Sequence, residues 1–263
     1  MQIVPASTHI DTLRTIVKAL KDEQVSSITL AERSGMGETE HVFEEMGVFA
    51  LSKELGFDAV VLDDVGQEDW LKIERKDTHW LKGFYIAKVF HDADKVVQTC
   101  CLKTHRFGGH FTLSLKNSVG LVAKKVPNGS YDYMWELHSS PFQGQMIAEI
   151  NNNYNLDFVL MDGIKAFVTG GPDKGILVEP NLLLASRDRV AIDAVGVAIL
   201  KLFGAKGKVG EVDVFEQDQL KRAAELGFGV KSANDIKLTP LNGEGCVEAE
   251  RINQVLKTAV VMY

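Results

Sequence analysis

The sequence predicts an α/β protein with a mainly parallel sheet and helices on both faces, a Rossmann-like, three-layer arrangement. Three observations lead there. Apolar runs of strand length alternate with segments of helical period, the connections between them are short, and the runs end repeatedly in polar residues: ITLAE, VVLDD, QTCCLKTH, VLMDG and LLLASRD. Strands separated by helices imply parallel pairing with both faces covered. In open sheets of that kind ligands gather beyond the carboxyl ends of the strands, so the polar ends point to one shared cleft.

The elements follow in order. Residues 8–22 place Leu13, Ile16, Val17 and Leu20 at helical spacing, with Thr8 or Asp11 as the cap. The short run Ser27–Ala31 ends in Glu32, and 37–56 reads as helix, with a break at Gly47 and a C-cap at Gly56. Residues 57–64 form a buried strand with an acidic end, 94–101 another strand, and 109–123 a helix. After a Gly/Asn/Tyr-rich loop at 127–137, residues 140–154 are helical and 157–163 a strand. The turn TGGPDKG leads to the strand NLLLASRD, the apolar helix 189–204 and the amphipathic helix 214–229. No repeat or linker divides the chain, so residues 1–263 are read as a single α/β domain.

Composition excludes several classes. A net charge of −7 disfavours nonspecific binding to nucleic acid or anionic membranes. No apolar run approaches the ~20 residues of a membrane span, and the start lacks a secretory pattern, so a cytoplasmic protein is expected. The three cysteines, Cys100, Cys101 and Cys246, form no C-x-x-C, which leaves no ligands for an iron–sulfur cluster or zinc ribbon. Neither a P-loop nor a G-x-G-x-x-G nucleotide fingerprint is present.

The densest polar stretch is CLKTHRFGGHFTLSLKNSVGL at 101–121. Lys103 and His105 follow a strand, Gly108 and Gly109 allow close backbone approach, and the helix that follows exposes N–H groups at its start. Lys116 and Asn117 fall opposite its apolar face. Basic side chains, a glycine turn and a helix N-terminus together favour a phosphate or carboxylate. His138 follows the aromatic Tyr131, Tyr133 and Trp135, which could cover a cleft. Asp162 ends an apolar strand, and Asp193 sits in the apolar helix VAIDAVGVAIL, where a carboxylate needs a cation, a metal or hydrogen-bond donors. Arg189, one turn earlier, is a candidate partner for Asp193, and Asp188 a cap or a ligand. Gly170, Gly171 and Gly175 permit a tight turn whose N–H groups could add an anion-binding nest. Glu32, Asp63 and Asp64 are candidates to line the same cleft.

The stretch KTHRFGGHFTLSLKNSVGL resembles the core motif of the proteins grouped as domain of unknown function 362. Further features match in order: His138 before a helix, Asp162-Gly163 at a strand end, the turn with Gly170, Pro172 and Gly175, and the S-x-D-x-V-A-x-D run of Ser186, Asp188, Val190, Ala191 and Asp193. The resemblance covers roughly residues 8–230. It implies an iron–sulfur label for many members, which carry a ferredoxin-like cysteine segment that this chain lacks. Relatives usually begin with a strand bearing a Lys-Pro-Asn-like stretch before the position of Gln2, which implies a truncated or late start here.

The expected function is therefore an enzyme acting on a small anionic substrate. Lys103 and Lys116 neutralise its charge, Asn117, Gly108, Gly109 and Gly171 hold it, and His105 or His138 moves protons. Asp162 and Asp193 hold a divalent ion, with zinc, iron, nickel and manganese all suited, or fix the histidine tautomers. The competing expectation is a non-catalytic ligand-binding or redox-accessory protein. Self-association is compatible with either.

Overall fold

The computed structural model describes residues 6–74, 76–108 and 110–258. The amino-terminal part contains α1 (Ile10–Asp22), β1 (Thr29–Glu32), α2 (Thr39–Met46), α3 (Val48–Leu55) and β2 (Asp58–Val61). β1 and β2 pair in parallel, and Val17, Leu51 and Phe57 form a small core beneath them. The cap of α1 is His9, whose ring accepts the Asp11 N–H at 3.2 Å, not Thr8 or Asp11. Gly47 and Gly56 end α2 and α3 with φ of 76° and 65°, left-handed values that only glycine adopts without strain.

An antiparallel pair follows, β3 (Trp70–Ile73) and β4 (Phe84–Ala87), then α4 (Lys88–Asp92). The central sheet contains β5 (Val97–His105), β6 (His110–Thr112), β7 (Phe158–Gly170), β8 (Gly175–Val178) and β9 (Leu182–Ser186). Its order is β6-β5-β7-β8, with β9 also on β7. The remaining helices are α5 (Ser114–Asn117), α6 (Tyr133–Ser139), α7 (Gln143–Ile150), α8 (Arg189–Leu202), α9 (Lys208–Glu211), α10 (Asp218–Glu225) and α11 (Gly243–Lys257). Among the described residues no helix is long and apolar enough to cross a membrane.

The fold is mixed α/β, but its sheets are not mainly parallel as a Rossmann-like layout would require. β5 and β7 are parallel, whereas β6 runs antiparallel to β5, and β8 and β9 antiparallel to β7. The reason is connection length: a parallel return needs a crossover of about a dozen residues or more. Residues 171–174 close a hairpin instead, and Pro180 and Asn181 carry the chain into β9 along the same edge of β7. β8 starts at the end of the glycine-rich turn TGGPDKG, in a stretch for which the sequence predicts no strand.

One face of this sheet carries the main core. The α8 residue Gly196 lies so close that a Cβ there would stand 3.2 Å from Met161 Sδ and 3.3 Å from Leu102 Cδ1. Side chains alternate along a strand, so Cys101 and Lys103 of β5 and Asp162 of β7 project from the other face. That face meets the amino-terminal segment: Thr8 bonds Thr99 at 3.0 Å, and Thr12 reaches Asp162.

Candidate functional site

The helix expected over 109–123 is broken into three pieces. β6 pairs with the end of β5, α5 makes a single turn, and a 3-10 turn spans Ser118–Leu121. Asp193 explains why α5 stays in place. Its carboxylate, fully buried, accepts the N–H groups of Ser114 at 2.7 Å and Leu115 at 2.9 Å. Burial pushes that carboxyl up to about 8, against the pull of the two donors. The N-terminus of α5 is therefore already satisfied from within, and the anion-accepting helix end expected there is taken by Asp193.

This mount holds Lys116 and Asn117. The Asn117 amide donates to Thr99 O at 3.0 Å on the edge of β5. Lys116 is 7% exposed, and its Nζ lies 3.1 Å from His105 Nε2. The His105 Nδ1 is 2.9 Å from Phe107 O, an atom that only accepts, so Nδ1 carries the proton and Nε2 is the acceptor for Lys116. Burial first, then the charge of Lys116, press His105 down to about 3, so it is neutral at pH 7. Burial and the neighbouring Lys103 bring Lys116 down to about 7.

Lys103, also buried, donates to Ala6 O at 2.7 Å. His138, at the end of α6, is exposed overall; its Nδ1–H donates to Met134 O at 2.6 Å, and partial enclosure of its ring chiefly, with Lys116 and Arg33 adding, lowers its pKa. Arg33 was not singled out by sequence reasoning, although it follows the polar end of β1. It is 4% exposed, donates to Val119 O at 2.6 Å, and its Nε has no hydrogen-bond partner among the described residues. Beside it Glu32 accepts the Arg33 N–H at 2.7 Å, and burial raises its pKa. Asp63 pairs instead with Lys124 at 2.8 Å. The result is a buried cationic cluster at the carboxyl end of β5, built from Lys103, His105 and Lys116 with Arg33 and His138 around it.

The glycines are explained by packing. Gly108 has φ of 80°, and a Cβ there would stand 2.2 Å from Gln143 Oε1 and 2.6 Å from the His110 ring. Gln143, at the start of α7, is 4% exposed with its Nε2 unpartnered among the described residues, and no pattern in the sequence marks it. Gly109 lies outside the described residues. The Gly171 N–H donates to Lys174 O at 2.7 Å, so it is committed to the hairpin rather than to an anion nest, and its carbonyl accepts from Arg106 N at 3.2 Å.

Asp162 and Asp193 do not form the metal pair expected of them. Asp162 is on the amino-terminal side of the sheet, accepting from Ile164 N at 3.2 Å and from Thr12. Asp193 is on the α8 side with both oxygens used. Asp162 therefore stands on one side of the sheet and Asp193, on α8, on the other. Among the described residues no group of three His, Cys, Asp or Glu side chains is placed to hold a metal. Arg189 does not hydrogen-bond to Asp193; it bonds Asn151 Oδ1 at 2.8 Å and lies over the Tyr154 ring. Asp188 caps α8 through Val190 N and Ala191 N. A cleft of about 540 Å³ lies at that helix start, lined by Asn152, Asn153, Arg187, Asp188 and Phe228; Lys103, His105, Lys116, Asn117 and His138 do not line it.

A mixed α/β protein with a buried Lys/His cluster at a strand's carboxyl end is the class that fold and site define. The chain belongs to the family described as Domain of unknown function (DUF362), whose model matches residues 4–198. No curated protein and no solved structure matches the chain.

Proposed function

We propose that this protein is an enzyme acting on a small substrate that bears a phosphate or carboxylate, with Lys116 as the group that moves the proton. The observation that carries this reading is the buried Lys116–His105 contact of 3.1 Å, in which a neutral imidazole accepts from a lysine held near neutrality. A group titrating close to the working pH transfers protons most effectively. His105 is neutral throughout the physiological range and serves Lys116 as an acceptor, while His138 stands at the rim. Lys103 and Arg33 supply positive charge for the anion, and Asn117 fixes α5 against β5. Asp162 and Asp193, on different sides of the sheet, take no part in this reading.

The competing reading, a non-catalytic ligand-binding or redox-accessory protein, also uses the cationic cluster but does not need Lys116 to titrate. Thermal unfolding with inorganic phosphate and acetate separates them. The midpoint is expected to rise with at least one of the two anions. Lys116→Met is expected to remove most of the rise, and the anion's affinity is expected to fall as pH increases through about 7. A rise that is unchanged between pH 6 and 8 favours the non-catalytic reading. No rise with either anion overturns the anion site itself.

A further inference from the structure

We propose that Lys116 is an amine nucleophile that forms an imine with the carbonyl carbon of a small 2-oxo acid, an inference that rests on reading this cluster as an anion-binding active centre. Lys116 is buried, and among the described residues its hydrogen-bond partner is the His105 ring. Among the described residues no ion pair joins it to a carboxylate, and Lys103 is the neighbouring charge. A structural lysine at that depth is ordinarily paired with a carboxylate. Here it is set beside another cation and a neutral base, the surroundings that leave a lysine amine free to attack. Its backbone is fixed, since α5 is held by Asp193 on one side and Asn117 on the other. With a pKa of about 7, the free amine at neutral pH exceeds that of an ordinary lysine by roughly a thousandfold.

The chemistry balances without an oxidant or reductant. The amine lone pair attacks the carbonyl carbon, a C–N bond forms, and the carbonyl electrons move to oxygen. The first proton released from nitrogen passes by way of His105 Nε2 to the alkoxide, giving the carbinolamine. The second follows the same route to the hydroxyl, which leaves as water while the nitrogen lone pair forms the C=N bond. Lys103 and Arg33 bring the positive charge that suits the adjacent carboxylate of a 2-oxo acid.

The test uses the full chain with pyruvate and cyanoborohydride at pH 7, followed by intact mass measurement and peptide mapping. The expected result is one reduced adduct per chain, with Lys116 labelled at least roughly tenfold faster than surface lysines, as its larger free-amine fraction requires. Lys116→Met is expected to lose the adduct, and the wild-type map alone decides if that variant does not fold. Label confined to surface lysines overturns the covalent step. If pyruvate then still raises the thermal midpoint of the wild type but not of Lys103→Met, the anion site stands and only the imine fails. If pyruvate neither labels Lys116 nor raises the midpoint, both readings fall.

Discussion

Replacing Asp193 with Ala is expected to destabilise the protein by roughly 3–5 kcal/mol in urea unfolding. Two buried N–H donors, Ser114 and Leu115, lose their acceptor together, and each such loss costs about 1–3 kcal/mol. The deleted side chain also leaves a void in a helix whose neighbours Ile192 and Ala194 are buried. Asp193→Asn is expected to be milder, because its amide oxygen still serves one donor while its NH2 opposes the other. Where the Asn variant folds, Lys116 loses its fixed position, and the loss of anion binding should exceed the loss of stability. A cost below about 1 kcal/mol for the Ala variant would contradict the role assigned to Asp193.

The second large effect is expected at Gly171. Its φ of 69° already disfavours a side chain, and a Cβ there would stand 2.0 Å from the backbone oxygen of Thr104. A backbone oxygen cannot rotate away as a flexible side chain can, so the hairpin must lift from β5. Gly171→Ala is expected to cost at least roughly 3 kcal/mol. Gly204→Ala is the matched control: its φ is 87° but nothing lies within 4 Å of the added methyl. That variant carries the backbone strain alone, about 1 kcal/mol, and the difference between the two measures the collision. Equal costs at both sites would show that the hairpin does not press on Thr104.

Much of the site was legible because it is local. Lys103 and His105 stand two residues apart on one strand, so period two places them on one face. Lys116 follows after a turn short enough to bring it back. The helices were read where their apolar period is strong: Leu13, Ile16, Val17 and Leu20 mark α1, and the apolar run after Arg189 marks α8. What failed depends on distant partners. The carboxylate that caps α5 lies 79 residues along the chain, and no local pattern distinguishes a buried cap from a metal ligand. The same limit hid Gln143, which meets Gly108 from another helix. Asp162 and Asp193 looked alike because each ends or interrupts an apolar run, whereas the sheet between them separates their faces. β3 and β4, Trp70–Ile73 and Phe84–Ala87, were not read from the sequence.

Lys116, on this account, is a buried amine titrating near neutrality against a neutral His105. The direct measurement is a pH titration of the Lys116 Cε and Hε signals by NMR in the wild type, assigned by comparison with Lys116→Met. The expected midpoint is about 7. A midpoint at the ordinary lysine value, about 10.4, would mean that Lys116 stays charged at working pH, and would contradict both its proton-transfer role and its nucleophilic one.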